Sequence, residues 1–210
     1  MQLTFINGSP RPAKSNTGRL MEHFIRGFLE TAGNRCETEF LARHRKNLNA
    51  LTEKFASSEN VIIGFPLYVD AMPGSVKEFI EALEPLAASK QLPALGFVSQ
   101  CGFPETAHLR FVARYCEKLA RRLGCRPLGC ILKGGCEGLD VQPDFLTAKY
   151  YLGFHAIGLH FGILAHAPKQ AVGDPGRAAR AAGDQLERPF LAVEFQQPGR
   201  SREDFGQLCR

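Results

Sequence analysis

Ser9, Arg11, Ser15, Asn16 and Thr17 crowd hydroxyl, amide and guanidinium groups into the short polar stretch "INGSPRPAKSNTGRL", residues 6–20. That set of donors suits an anion. A phosphate accepts hydrogen bonds from hydroxyls, from backbone N–H groups that small residues leave accessible, and from a nearby cation. The stretch begins as the end of an apolar strand and runs into a segment of helical period, so the next helix adds its unpaired N–H groups and the positive end of its dipole. A long turn capped by Ser15 or Asn16 accounts for the same residue types without any ligand. The loop ends Lys14-Ser15-Asn16-Thr17 without the Gly-Lys-Ser/Thr of a triphosphate-hydrolysing loop, it lacks G-x-G-x-x-G, and no cysteine lies between Asn7 and Asn16 to act as a phosphatase nucleophile.

The elements that must position this loop alternate along the chain. Leu3 to Ile6 reads as a strand, Thr17 to Thr31 as a helix with Leu20, Phe24, Phe28 and Leu29 apolar, Cys36 to Leu41 as a strand and Leu48 to Phe55 as a short helix. Val61 to Phe65 is a continuous apolar run, expected to be buried on both faces. Ser75 to Leu86 reads as a helix, Leu95 to Ser99 as strand four, Glu105 to Leu123 as a long helix, Leu128 to Leu132 as strand five, and Asp144 to Leu164 and Gly176 to Leu186 as the last two helices. Strands alternating with helices require parallel strands joined by crossovers, with helices on both sheet faces. The expected class is α/β, doubly wound. The expected organisation is one domain over residues 1–188 and a tail over 189–210, where periodicity fades.

With 210 residues, 44% of them hydrophobic and 22% charged, the chain can bury a sizeable core. No export leader and no bilayer-length apolar run is evident, so a soluble protein is expected. Seven cysteines without regular spacing and without a CxxC point to reduced thiols and the cytoplasm rather than to disulfides, zinc or an iron–sulfur centre. A net charge of +5 suits a small anionic ligand. Neither nucleic acid nor a membrane is expected as a partner. His155, His160 and His166 are spaced five and six apart, which does not stack them on one helical face; core or dimer packing explains them better than a metal. Lys77 reads as a solvated or interface charge, and the Arg-rich stretch "GRAARAAGDQL" as a solvated helical face.

"NGSPRPAKSNT" followed by an apolar helix resembles the phosphate loop of the flavodoxin-like NAD(P)H-dependent FMN reductases and quinone reductases. "FPLYVDAMPGSVKEFIEAL", residues 65–83, is similar to that family's Pro-x-Tyr-x-x-x-Met-Pro-Gly-x-x-Lys-x-Phe segment, and "VSQCGFPE", residues 98–105, stands after strand four where such proteins place another flavin contact. The resemblance covers roughly residues 1–165. It implies a doubly wound five-stranded parallel sheet of order 2-1-3-4-5 with helices on both faces, whose switch point sets the loops after strands one and three around one crevice.

By that resemblance FMN is the cofactor and NADPH or NADH the co-substrate. Ser9, Arg11, Ser15, Asn16 and Thr17 would take its phosphate. Pro66, Leu67, Tyr68, Val69, Asp70, Ala71 and Met72 would wall the ring system, with Ser99, Gln100, Cys101, Gly102 and Phe103 on the other side. Tyr68 either meets the flavin or covers the sheet edge. Met72 divides between ring contact and packing, and Asp70 between orienting a ligand and capping a turn. Cys101 reads as a small buried thiol rather than a redox group. The implied activity is hydride transfer from a nicotinamide to FMN and on to a quinone, a nitro or azo compound, or free flavin. The implied assembly is a homodimer, with the apolar "YYLGFHAIGLHFG" helix as one candidate interface. The competing reading is a non-catalytic flavin carrier or nucleotide-binding module of the same fold. Two features depart from the family pattern: Pro12-Ala13-Lys14 makes the first loop one residue longer than its tightest form, and Cys101-Gly102 stands for a common Gly-Gly; "LARHRKNLNALTEKF" carries no cysteine, which excludes the subclass of such proteins with an iron–sulfur cluster after the second strand.

Overall fold

The computed structural model describes residues 1–11, 14–89, 91–139, 141–164 and 192–195. In chain order the elements are β1 (Gln2–Asn7), α1 (Asn16–Leu29), β2 (Arg35–Phe40), α2 (Asn49–Ser57), β3 (Asn60–Pro66), α3 (Gly74–Ala82), β4 (Ala94–Gln100), α4 (Arg110–Arg122), β5 (Pro127–Lys133), α5 (Asp144–Leu164) and β6 (Ala192–Phe195). All pairings are parallel and the sheet order is β2-β1-β3-β4-β5-β6. The first five strands therefore take the expected order 2-1-3-4-5.

β3 and β4 are buried at every position, as their near-continuous apolar runs require of central parallel strands. Alternate residues feed two cores. Ile6, Val61, Ile63, Leu95 and Phe97 pack beneath α2, α3 and α4, whereas Leu3, Phe5, Ile62, Val98 and Ile131 pack beneath α1 and α5.

α1 forms because Leu20, Met21, Phe24 and Phe28 make one apolar stripe, and it starts where the Ser15 hydroxyl accepts from the Gly18 N–H at 3.0 Å. Its contact with α5 runs backbone to backbone. A Cβ on Gly158 would lie 1.9 Å from the Phe24 carbonyl oxygen, so only glycine permits the approach. The His155 ring nitrogen lies 2.8 Å from Glu30 Oε1, and His23 stacks on Tyr151 at 4.2 Å. Burial, together with the cation of Arg26, holds the His23 imidazole below its ordinary pKa. His155 and His23 thus serve the helix pair. His160 is exposed, His166 lies outside the described residues, and no cluster of metal-ligating side chains occurs among the described residues.

Three boundaries differ from the sequence reading. α3 ends at Ala82 rather than Leu86 because Pro85 cannot continue it, and Glu84–Ala88 tightens into a 3₁₀ turn. A 3₁₀ turn over Thr106–Leu109 likewise precedes α4. The third difference is β6: Ala192–Phe195 pairs with β5, from Cys130↔Ala192 to Lys133↔Phe195, inside the stretch read as tail. Four residues are too few to declare an alternating pattern. The helix expected over 176–186 lies outside the described residues.

Candidate functional site

β1 ends at the carboxyl edge of the sheet, and the chain must leave it without blocking its neighbours. Gly8 makes this possible: its N–H donates to the Gly64 carbonyl at 2.7 Å, and any Cβ would lie 2.4 Å from Val76 Cγ2. The loop is then braced from within. Asn7 is buried; its Oδ1 accepts from the Ser9 N–H at 3.0 Å and its Nδ2 donates to Ser15 Oγ at 3.2 Å. Ser9 Oγ in turn accepts from the Arg11 N–H at 3.3 Å. Thr17 is fully buried and its hydroxyl meets Gln100 Nε2 at 3.4 Å, tying the start of α1 to the end of β4. The Asn16 amide donates to the Cys136 carbonyl, which ties it to the turn after β5.

The turns after β3, β4 and β5 are stitched together by backbone. The Leu67 N–H donates to the Gln100 carbonyl at 2.7 Å, the Cys101 N–H to Lys133 at 3.0 Å, and the Cys136 N–H to Cys101 at 2.9 Å. Between these turns and the first loop opens a cleft of about 580 Å³, a size suited to a cofactor. Arg11, Lys14 and Asn16 border it on the α1 side, Pro66, Leu67 and Tyr68 form one wall, and Gln100 to Pro104 form the other. Cys136, Glu137 and Gly138 close the end.

The donor set at its mouth fits a phosphate. α1 has no acid in its first turn, so its positive end is uncompensated, and the two cations Arg11 and Lys14 border the same opening. Of the residues expected at the flavin, Arg11, Asn16, Pro66, Leu67, Tyr68, Gln100, Cys101, Gly102 and Phe103 line this cleft. Ser9, Ser15 and Thr17 lie in the bracing layer behind it. Ser99 is fully buried inside β4, with its hydroxyl unpartnered among the described residues. Val69 points outward, and Asp70, Ala71 and Met72 line a separate shallow groove of about 330 Å³ with Lys77, Phe111 and Tyr115. Lys77 itself is engaged with Glu81 one helical turn on.

Sequence reasoning passed over Lys14, which it treated as loop length, and the turn after β5. "KGGCEG", residues 133–138, is a run of small residues after a strand, the same signal that marks the first loop.

Beside that turn lies Lys133, fully buried, its ammonium bonded to the Gly134 carbonyl and 3.8 Å above the Tyr150 ring centre. Burial lowers its pKa from the ordinary lysine value. Burial also raises the Cys101 thiol and pushes Cys136 up to about 12, so both are protonated at neutral pH and neither is an activated nucleophile.

A larger groove of about 820 Å³ runs between α1 and β2, past Arg19, His23, Thr38 and Phe40. Asn7, Lys14 and Ser15 also border it. The 580 Å³ cleft instead opens where the strand order reverses, between β1 and β3, the position at which doubly wound sheets take ligands.

The sequence model for the flavodoxin-like fold matches residues 1–84, which carry the first loop and β3 with its turn. The fold is flavodoxin-like. Solved structures of this flavodoxin-like fold superpose over most of the chain. An NADH:FMN oxidoreductase (EMOB) in its apo form has a TM-score of 0.61 at 16% identity, covering 85% of this chain and 99% of its own. An NAD(P)H:quinone oxidoreductase from Methanothermobacter marburgensis gives 0.61 at 14% identity, with 77% and 98% covered. An FMN-dependent NADH-azoreductase from Bacillus anthracis, in complex with FMN, gives 0.59 at 13% identity, with 77% and 100% covered. No curated protein matches the chain. At these identities the likeness establishes the flavodoxin-like architecture, and chemistry has to be argued from the cleft.

Proposed function

We propose that this protein is an FMN-dependent NAD(P)H oxidoreductase. The observation that carries the reading is the coincidence, at the switch point of a flavodoxin-like sheet, of an acid-free helix N-terminus, two cations and a cleft walled by Pro66-Leu67-Tyr68 and Gln100 to Phe103. When bound, FMN supplies the redox chemistry, accepting a hydride from NADH or NADPH and passing two electrons to a quinone, a nitro or azo compound, or free flavin.

The chain's own task is binding and orientation. Arg11, Lys14 and the first amides of α1 hold the phosphate, with Ser9 and Ser15 fixing the loop that presents them. Leu67 and Tyr68 give an apolar wall for a flat ring, and the Gln100–Phe103 turn gives the opposite one. Donor and acceptor use the same face of the flavin in succession, which gives ping-pong kinetics. No side chain has to transfer a proton as a strong acid or base. The activities of the superposed proteins, NADH:FMN, NAD(P)H:quinone and azo reduction, agree with this assignment.

A homodimer is the assembly we favour. The inner side of α5 is occupied by α1, whereas Phe145, Leu146, Leu152 and Ile163 are exposed on the outer side, available to a second copy. No described helix is long and apolar enough to cross a membrane; the free thiols suit the cytoplasm.

The test is anaerobic. NADPH or NADH should bleach the visible absorbance of the FMN-loaded protein, and a stoichiometric quinone should restore it. A flavin that dithionite reduces but neither nicotinamide does would assign the protein as a carrier.

A further inference from the structure

α4 carries its charge on one side. At 100° per residue Arg110, Arg114, Lys118, Arg121 and Arg122 share the outward arc, and Val112, Ala113, Cys116 and Ala120 form the buried one. Residues 110–126 hold six basic side chains and one acid, Glu117, a surplus of five in a chain whose whole net charge is +5. Glu117 pairs with Arg121 at 3.0 Å; Arg114, Lys118 and Arg122 make no ion pair among the described residues. The whole-chain average concealed this stripe.

Its border is apolar. Phe111 is 77% exposed, and with Tyr115 it flanks the shallow groove that also contains Ala71 and Met72. The next feature is the tight turn Tyr68–Ala71, closed by reciprocal backbone bonds of 2.8 and 3.0 Å, with φ of 47° at Val69 and 62° at Asp70. Two positive φ angles suit Asn-Gly, not a β-branched residue, yet Val69 stands at the tip, 95% exposed. Tyr68 and Phe103, also exposed, complete an apolar rim around the mouth of the 580 Å³ cleft.

A cationic arc alongside an apolar rim is the chemistry of a surface that rests on anionic headgroups with aromatics in the acyl boundary. A second copy is a poorer occupant, since two-fold docking would set the same basic side chains against each other. We infer that α4 and the rim formed by Tyr68, Val69, Phe103, Phe111 and Tyr115 seat the protein on the anionic face of a lipid bilayer, with the cleft mouth turned to quinones dissolved there. This peripheral contact departs from the sequence expectation of no membrane partner, which rested on the lack of a spanning helix. The quinone clause rests on the redox reading above; the docking clause does not.

Cosedimentation of the FMN-loaded full chain with extruded vesicles tests it. Vesicles containing phosphatidylglycerol should retain the protein, pure phosphatidylcholine vesicles should not, and added salt should release it. The charge-reversal variant R114E/K118E/R122E should lose on the order of a hundredfold in partitioning. Phe111→Ser should weaken retention while leaving its salt dependence. All variants should keep their FMN absorbance and their rate with a water-soluble quinone. Equal retention by both vesicle types, or wild-type retention of the triple variant, would overturn the inference. So would retention by duplex DNA but not by vesicles, or dissociation of a dimer in the triple variant. Vesicle binding by a protein that no nicotinamide reduces would leave the docking intact and refute the redox reading.

Discussion

Replacing both Arg11 and Lys14 by alanine should weaken FMN binding on the order of a hundredfold, read as the dissociation constant from quenching of flavin fluorescence. Two charge-assisted contacts to a phosphate dianion are lost together, and each is of a strength that changes affinity by roughly tenfold. The effect should be specific to the phosphate. Riboflavin, which lacks it, should bind wild type and variant alike, and the gap for FMN should narrow as salt screens these exposed cations. Ser9→Ala should act differently, since its hydroxyl supports the Arg11 N–H from behind the cleft. Its cost should be the smaller one and should apply through loop order. A double variant that binds FMN as tightly as wild type would remove the phosphate assignment.

Gly158→Ala should be among the most damaging single substitutions in the molecule. The added methyl would have to occupy space 1.9 Å from the Phe24 carbonyl oxygen, a backbone atom that cannot swing aside as a side-chain tip can. α5 must then lift from α1, and Phe24, Phe28, Tyr150 and Phe154, which share that core, lose contact together. Overpacking of this kind costs about 3 kcal/mol, which for a domain of this size lowers the midpoint of thermal unfolding by roughly 6–12 °C. Gly74→Ala is the control. Nothing lies within 4 Å of its added Cβ, so at the start of α3 it should be neutral or slightly stabilising. Equal melting temperatures for the two variants would refute the close-packed account of the helix pair.

The architecture was legible because its signals are long. α5 falls at the residues where fifteen or more positions of helical character place it, from Asp144 to Leu164, and β3 is the apolar run Val61–Phe65 extended by one residue at each end. β6 was not legible because four residues inside an aperiodic stretch give pairing no advertisement; its partner, β5, supplies the reason for it to be a strand.

The site was legible as loops and less so as atoms. A polar residue in a loop has no period to say which way it faces, so Ser9, Ser15 and Thr17 look the same in sequence as Arg11 and Asn16. Packing separates them: Asn7 holds the Ser9 N–H and the Ser15 hydroxyl, Gln100 holds the Thr17 hydroxyl, and the long cationic side chains stay at the mouth. Val69 to Met72 are grouped with Tyr68 by the motif they share, which carries no information on which way each residue faces. The tight turn at Val69-Asp70 reverses the chain and carries Ala71 and Met72 into a different groove. Lys14, a second cation of the same loop, borders the cleft beside Arg11.

A crystal structure of the protein grown with excess FMN tests the central claim most directly. The account predicts density for the phosphate at the start of α1 beside Arg11 and Lys14, and for the ring system between Pro66-Leu67-Tyr68 and Gln100 to Phe103. An empty cleft at full FMN saturation of the crystal, or a flavin seated in the groove between α1 and β2, would contradict it.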